Sequence, residues 1–379
     1  MTISVVYNND IYLDPLLTSV TWSGDITQGF RKLEVRLKNT VDGRHQAVNI
    51  ELGRELRLYE DDIEKFRGVI FTLDINATGD LDITAYDENV YLTKNSDIRK
   101  FTGMTASAII RQLCADFQVP VGAIAETGYV IPRLILRDKT VWEMMVAAIS
   151  ETRRQTGRRF WITSKEGALV LIERGDKIVD WVLENGVNIT GAGYSQTIED
   201  MRNSVKVTAN DDAKPSDTVN YSPETLEMIT GTIATESKSP IVATAKDDDN
   251  ITRFGLMQHI DHMDSSATQS SANQMAIELL KELSKTKDEA HIEALGNSEI
   301  VAGSAVYVIE SMTSIVGGFY VITDTHTWAN GVHQMELSIS GDESLPMLNY
   351  ADLEQVTTEK TRKKDEGNNY SKELALLGE

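Results

Sequence analysis

The chain has 379 residues, 41% hydrophobic and 7% aromatic, an ordinary composition for a folded globular protein of about two to four domains. Its 58 acidic residues against 37 basic ones give a formal net charge of −21, which opposes duplex DNA binding, since that depends on clustered Lys and Arg at phosphates. The longest apolar run, GALVLI at residues 167–172, is far too short to cross a bilayer. The opening MTISVVYNNDIYLD has no basic region followed by an apolar stretch, so no signal peptide is read, and synthesis in a cytoplasm without export by that route is expected.

Residues 1–98 read as β. RKLEVRLKN puts Leu33, Val35 and Leu37 on one face and charged residues on the other. In GVIFTLDINATGDLDITAYD, Val69, Phe71, Leu73 and Ile75 lead to a turn at Thr78-Gly79-Asp80, and Leu81, Ile83 and Ala85 return, which predicts a hairpin. A helical texture follows. MTASAIIRQLCADFQVP carries a stripe of Ile109, Ile110, Leu113, Cys114 and Phe117, with Thr105 as N-cap and Pro120 beyond the end. Cys114 is the single cysteine, so an internal disulfide and a multi-thiolate metal site are both excluded; the stripe predicts a small buried hydrophobe rather than a reactive thiol. KTVWEMMVAAISETRRQTG predicts a second helix capped by Thr140, burying Trp142, Met145, Ala148 and Ile149, and stopped by Gly157. RFWITSKEGALVLIE predicts a hairpin turning at Glu166-Gly167.

Strand pattern resumes in NSVKVTAN at Val205 and Val207, and residues 211–250, rich in Asp, Ser, Thr and Pro, read as loops with short strands. SATQSSANQMAIELLKELSK is the longest helix candidate, with Ala272, Met275, Ala276, Leu279, Leu280 and Leu283 on one face. Strands HIEAL, SAVYVIE, GFYVITDTHTW and HQMELSIS follow, and Ala329-Asn330-Gly331 carries the strongest turn signal in the chain. Beyond Pro346 the sequence turns polar and reads as a loosely folded helical tail; no residue-level repeat is present.

Chemistry finds little support. His259, Asp261, His262 and Asp264 form the densest set of metal-ligand types, but His-x2-His is not the helical i, i+4 pair and no third element converges, so a solvated turn before the long helix is expected. His326 alternates with Ile322 and Asp324 on one strand face; with no G-x-S-x-G in the chain and Ser304 in an ordinary β-turn, its expected role is a structural hydrogen bond to a neighbouring loop. Paired carboxylates are uninformative among so many acids, and Gly191–Gly193 open no phosphate-binding helix. The basic runs RRQTGRR (153–159) and KTRKK (360–364) read as solvated helix ends. No catalytic, cofactor-binding or metal residue is assigned.

YSQTIEDMRNSVKV (194–207), AKDDDNITRFGLMQHIDHMD (245–264), the long helix, GNSEIVAGSAVYVIE and GFYVITDTHTWANGVHQMELSIS come in the order of the XkdQ/YqbQ family, which this chain resembles. These are tail hub proteins of contractile-tailed phages and phage-derived bacteriocins of Gram-positive bacteria, similar to the central baseplate hub of larger phages and to late control protein D. The resemblance implies an α+β fold: two β-barrel-like tube domains with an inserted small α+β domain and a long helix, in a ring-forming trimer. The expected regions are 1–98, a first barrel-like domain completed by about 188–235; 99–187, the inserted α+β domain; 236–345, the helix plus a second barrel-like domain; and 346–379, a polar tail.

It further implies a non-enzymatic baseplate part that adapts a six-fold tail tube to a three-fold central spike and lines the channel, whose acidity would let DNA slip. Expected partners are two further copies of itself, the tail spike protein, the tail tube or tube-initiator protein, other baseplate proteins and, as a further candidate, the tape measure protein, with no membrane, no specific nucleic acid and no cofactor. Its place would be the baseplate of a virion or tail-like particle assembled in the bacterial cytoplasm. The strands at Ile3–Tyr7, Leu33–Leu37, Val321–Thr327 and Gln334–Ile339 are expected to help build the ring, and residues 211–250 and the tail to contact partners. The enzyme alternative is a tail-associated cell-wall (peptidoglycan) hydrolase; a third reading, a free small-ligand-binding β protein, predicts a monomer.

Overall fold

The structure, a computed structural model, describes residues 2–174, 178–209, 220–221, 228–229, 241–263 and 268–341. The predicted polar tail beyond 346 and most of the 211–250 stretch lie outside the described residues. The chain is mostly β with few helices, and it divides into two units, residues up to Tyr194 with those from Ala290 on, and Ser195–Glu289.

The first unit begins with seven strands, β1 (Ile3–Tyr7), β2 (Ile11–Tyr12), β3 (Leu17–Asp25), β4 (Arg31–Lys38), β5 (Glu55–Glu60), β6 (Ile63–Ile75) and β7 (Asp80–Tyr86), paired antiparallel in the order β2-β1-β5-β6-β7-β4-β3. Period-two alternation buries Leu33, Val35 and Leu37 of β4 against Leu56, Leu58, Phe66, Leu81, Ile83 and Trp22. The β6–β7 hairpin forms, but its first strand does not keep one face. A bulge between Ile70 and Thr72 switches the pleat, so Phe66 and Ile70 go inward while Phe71 faces out onto Tyr86. The expected face of Val69, Phe71, Leu73 and Ile75 is therefore split.

Next come α1 (Val90–Lys94), β8 (Ser96–Thr105), α2 (Ala106–Asp116), β9 (Val121–Ile124), β10 (Val130–Thr140), α3 (Val141–Thr156), β11 (Phe160–Lys165) and β12 (Ala168–Glu173). β8 and β10 make a two-stranded ribbon, and β11-β12-β9 a small sheet. Both pack on the helices around Ile109, Ile110, Leu113, Cys114, Met144, Met145 and Ala148. The predicted caps are present. The Thr105 hydroxyl accepts from Ala108 N, Thr140 and Glu143 make a reciprocal capping box, and Gly157 takes the left-handed turn (φ 73°) that ends α3. Cys114 is fully buried, and burial pushes its thiol up to about 12. At 16 residues, α3 is the longest described helix, exceeding the predicted candidate by one.

β13 (Ile178–Glu184) and β14 (Ile189–Thr197) follow. In the second unit, β15 (Ser204–Ala209) is followed by β16 (Asn220–Tyr221) and β17 (Met228–Ile229), which among the described residues pair only with each other, and by β18 (Ile241–Lys246), α4 (Asp248–Phe254), β19 (Gln258–Met263) and α5 (Gln269–Leu283); β15, β18, β19 and α5 form a small α/β layer. β15 lies between antiparallel β18 and parallel β19. Ala272 and Ala276 let α5 settle closely on Val205, Val207 and Ala243.

The remaining strands, β20 (Lys287–Leu295), β21 (Ala305–Glu310), β22 (Ile315–Ala329) and β23 (Val332–Ser340), enclose a third core of Leu183, Ile292, Val306, Val308, Val321, Leu337 and Ile339. Asn330 (φ 53°) and Gly331 (φ 76°) make the predicted tight β22–β23 turn. β22 spans 15 residues and also pairs with β3, from Thr323↔Asp25 to Ala329↔Ser19. That pairing joins the early and late strands into a single 13-stranded sheet.

Three features of the pairing run across the expected boundaries. The α+β layer ends at β12, because β13 pairs in parallel with β21 instead. The early strands pair with β22, while β14, within residues 188–235, joins the same sheet beside β20. The helix α5 packs with β15 and β18, its Ala272 and Ala276 sharing a core with Val205, Val207 and Ala243.

Candidate functional site

Polar residues stand at buried positions where β3 meets β22. Arg31 shares the inward parity of Leu33, Val35 and Leu37, and Asp324, His326 and Trp328 share that of the β22 core. Arg31 Nη1 donates to Asp324 Oδ1 at 3.0 Å and Nη2 to Oδ2, a fork that matches a carboxylate with two parallel bonds. Asp324 Oδ1 also accepts from Ala302 N at 2.6 Å, and the guanidinium lies 3.9 Å from the Trp22 ring centre. The Arg31 amide donates to Asp87, whose complete burial raises its carboxyl to about 7.

The array continues through two histidines. His326 Nε2 donates to Ile300 O at 2.9 Å, which leaves Nδ1 to accept from His333 Nε2 at 3.1 Å. Trp328 stacks on His333 at 4.2 Å between ring centres. Burial holds both imidazoles neutral: it lowers His326 against the opposing pull of Asp324, and lowers His333 to about 3, helped by His326 and Lys65. Glu60 Oε1 lies 3.6 Å from His333 Nδ1, and Glu60 Oε2 accepts from Ser298 and stands 3.6 Å from Lys65. Gly296 passes so close that a Cβ there would come within 2.1 Å of the His333 ring.

This array ties β4 to β22 and β22 to β23 through side chains. Both His326 nitrogens are occupied, and the Ser304 hydroxyl donates to Val301 O within its own turn, so no base–nucleophile pair exists here. The hydrogen bond of His326 to a neighbouring loop is the role its sequence context predicts. The HIDHM stretch is a strand and not the expected turn, because it lies in register along β15. Alternation then sends His259 and Asp261 to one face and His262 to the other, where Nδ1 meets Thr208 Oγ1 at 2.7 Å. Asp264 lies outside the described residues. Among the described residues no group of three His, Cys, Asp or Glu side chains is placed to hold a metal ion. Gly191–Gly193 sit inside β14. Arg158, expected at a solvated helix end, instead grips Glu173 and the carbonyls of Glu126 and Thr127; Lys360–Lys364 lie outside the described residues.

Arg31, Trp22, Glu60 and His333 were not singled out from the sequence. The available signal was parity: in RKLEVRL, Arg31 occupies a core position, as do Asp324 and His326 in ITDTHTW.

Two surfaces of the sheet differ. The outward face over the seam is polar, with Thr325 beside Ser23, Thr327 beside Thr21, and Arg36–Asp82 and Lys38–Asp80 ion pairs at 2.7 Å. The outward face at β13, β21 and β22 is apolar: Ile178 (76% exposed), Val182, Tyr307 (48%) and Val316 (56%), with Val182 in register with Tyr307. An exposed apolar cluster of this kind marks an interaction surface.

The protein YqbQ of Bacillus subtilis (strain 168) is 28% identical to this chain over 337 residues, covering 88% of this chain and 95% of YqbQ. XkdQ of the phage-like element PBSX, from the same organism, is 29% identical over 339 residues, with 88% and 95% covered. A 43 kDa tail protein of prophage MuSo2 from Shewanella oneidensis shares the fold at 14% identity and a TM-score of 0.64, covering 89% of this chain and 97% of that one. The model of YQBQ-like proteins matches residues 20–340, and the chain belongs to that family.

Proposed function

We propose that this chain is the structural hub of a contractile phage tail or phage-tail-like bacteriocin baseplate, a homotrimer that adapts a six-fold tail tube to a three-fold spike and lines the central channel. The observation that carries this reading is the β3–β22 pairing, which fuses an early and a late β group into one sheet. Three copies would supply six such β groups, enough to face six-fold symmetry on one side and three-fold on the other. The name of XkdQ, a protein of a phage-like element, and the shared fold of a prophage tail protein support the same reading.

The polar Thr- and Ser-rich face over the seam suits a channel wall, and the apolar face at β13, β21 and β22 suits contact between copies. Head-to-tail contacts in a closed ring bring different patches of neighbours together, and they would cover the free edge of β13. The other expected partners, the tube or tube initiator, further baseplate proteins and the tape measure protein, would meet the two ends of this ring. Nothing in the seam array favours peptidoglycan hydrolysis, and purified protein is expected to release no soluble fragments from cell walls.

The deciding measurement is mass in solution by sedimentation, with the spike protein supplied. A trimer, alone or on the spike, supports the hub; a monomer that stays monomeric with the spike present overturns it. Electron microscopy of tails should then place the chain on the axis between tube and spike.

A further inference from the structure

The β8–β10 ribbon stands apart from every other sheet in the described residues and shows one face to solvent. Its inner face is apolar: Phe101, Leu134 and Leu136 pack on α2 and α3. Its outer face carries Ile98, Lys100 and Thr102 on β8, and Arg133, Ile135 and Arg137 on β10. The register sets Lys100 beside Ile135 and Thr102 beside Arg133. Cation and isoleucine therefore alternate along β10, and on β8 Lys100 follows Ile98, which is 61% exposed.

These three cations are set apart by adjacency on one face without an ion pair; single cations such as Arg44, Lys94 and Arg253 also lack one among the described residues, but stand alone. Arg31, Arg36, Arg54, Arg57, Arg67, Arg99, Arg111 and Arg158 are each held by a carboxylate of this chain. Lys100, Arg133 and Arg137 have no ion pair among the described residues, in a chain with 58 acids to 37 bases. Three adjacent cations left unpaired amid such an acid surplus are available to an outside anion.

We infer that the outer face of the β8–β10 ribbon docks an extended acidic segment of another protein, with carboxylates over Lys100, Arg133 and Arg137 and apolar side chains over Ile98 and Ile135. Successive same-face residues on a strand are about 7 Å apart, so an extended ligand with acids and apolar residues at that interval matches the checkerboard. Duplex nucleic acid fits less well: three cations offset few phosphates against a chain of −21. A second copy of this chain is told apart from such a partner by the self-association of the variant below. The inference goes beyond the hub reading, because it assigns a heterologous partner chemistry to the α+β layer whatever the number of copies in the ring.

The test uses the full chain and a fluorescent peptide of alternating Glu and Val, followed by anisotropy at low salt. A Lys-Val peptide and a short DNA duplex serve as controls. The expected result is salt-sensitive binding of the Glu-Val peptide that weakens roughly tenfold or more in the Lys100→Glu/Arg133→Glu/Arg137→Glu variant. Slowed hydrogen exchange confined to 98–102 and 133–137 on adding the peptide would place it on the ribbon. The variant changes only surface residues, and an unchanged melting curve verifies its folding. Equal peptide binding by wild type and variant, equally tight binding of the duplex to the ribbon, or a change of self-association in the variant each overturns the inference. A wild-type chain that stays monomeric with the spike present yet binds the peptide on the ribbon would strike the hub reading alone.

Discussion

The core of the α+β layer and the seam between β3 and β22 are both buried, but they are filled by opposite kinds of side chain. Around α2 and α3 the filling is Ile, Leu, Met and one Cys, close in sequence and held by short-range caps. At the seam, Arg31 and Asp324 meet across 293 positions, with Trp, His and Glu around them. An apolar core loses stability in proportion to the volume removed. A buried charge pair loses little if both members are replaced together by apolar residues and much if one is left behind. The seam is therefore the more brittle region, and it ties the two β groups to one arrangement.

The largest expected effect is Asp324→Ala. It strands the Arg31 guanidinium and the Ala302 amide, and urea unfolding should show a loss of about 3–5 kcal/mol. Arg31→Met/Asp324→Leu should recover most of that loss; a double variant no better than the single one would break the contrast. Leu113→Ala should cost about 3 kcal/mol, with faster hydrogen exchange concentrated in α2 and α3 and the seam amides unaffected. Gly296→Ala drives a methyl into the His333 ring and should lower stability by about 1–3 kcal/mol, read in the same urea titration.

The smallest effect is pH dependence. The ordinary value for His333 is 6.5 and burial lowers it to about 3, so between these the unfolded chain binds the proton and the folded chain does not; stability falls as pH drops through that window. Asp87, raised from 3.8 to about 7, acts with the opposite sign. The readout is thus a difference: His333→Gln should lose less melting temperature than wild type between neutral pH and about pH 5. An equal loss would remove His333 from the account.

Much of the α+β layer was legible because its determinants are local. Thr105, Thr140 and Gly157 mark helix ends within a few residues, and the Ile109–Cys114 stripe declares its own face. The hairpin at Asn330-Gly331 was legible for the same reason. What escaped depends on distant partners. HIDHM looks like a polar turn until β15 lies beside it, and α5 carries no label saying which sheet its alanines fit. The Phe71 bulge inverts a face that strict alternation assigns. At the seam, the loop hydrogen bond of His326 was expected, but Arg31 looked like an ordinary polar strand residue; only parity hinted at burial, and the identity of each partner is a fact of the tertiary structure.

β22 has one further consequence, a mechanical one. It is a single stretch of backbone clamped on one side by β3 and on the other by β23, with β21 along its first half. A pull along its axis loads three ladders of hydrogen bonds in shear at once, and these can yield only together. Axial force entering the early strands is thereby handed to the late ones through one continuous strand, with no flexible linker in between.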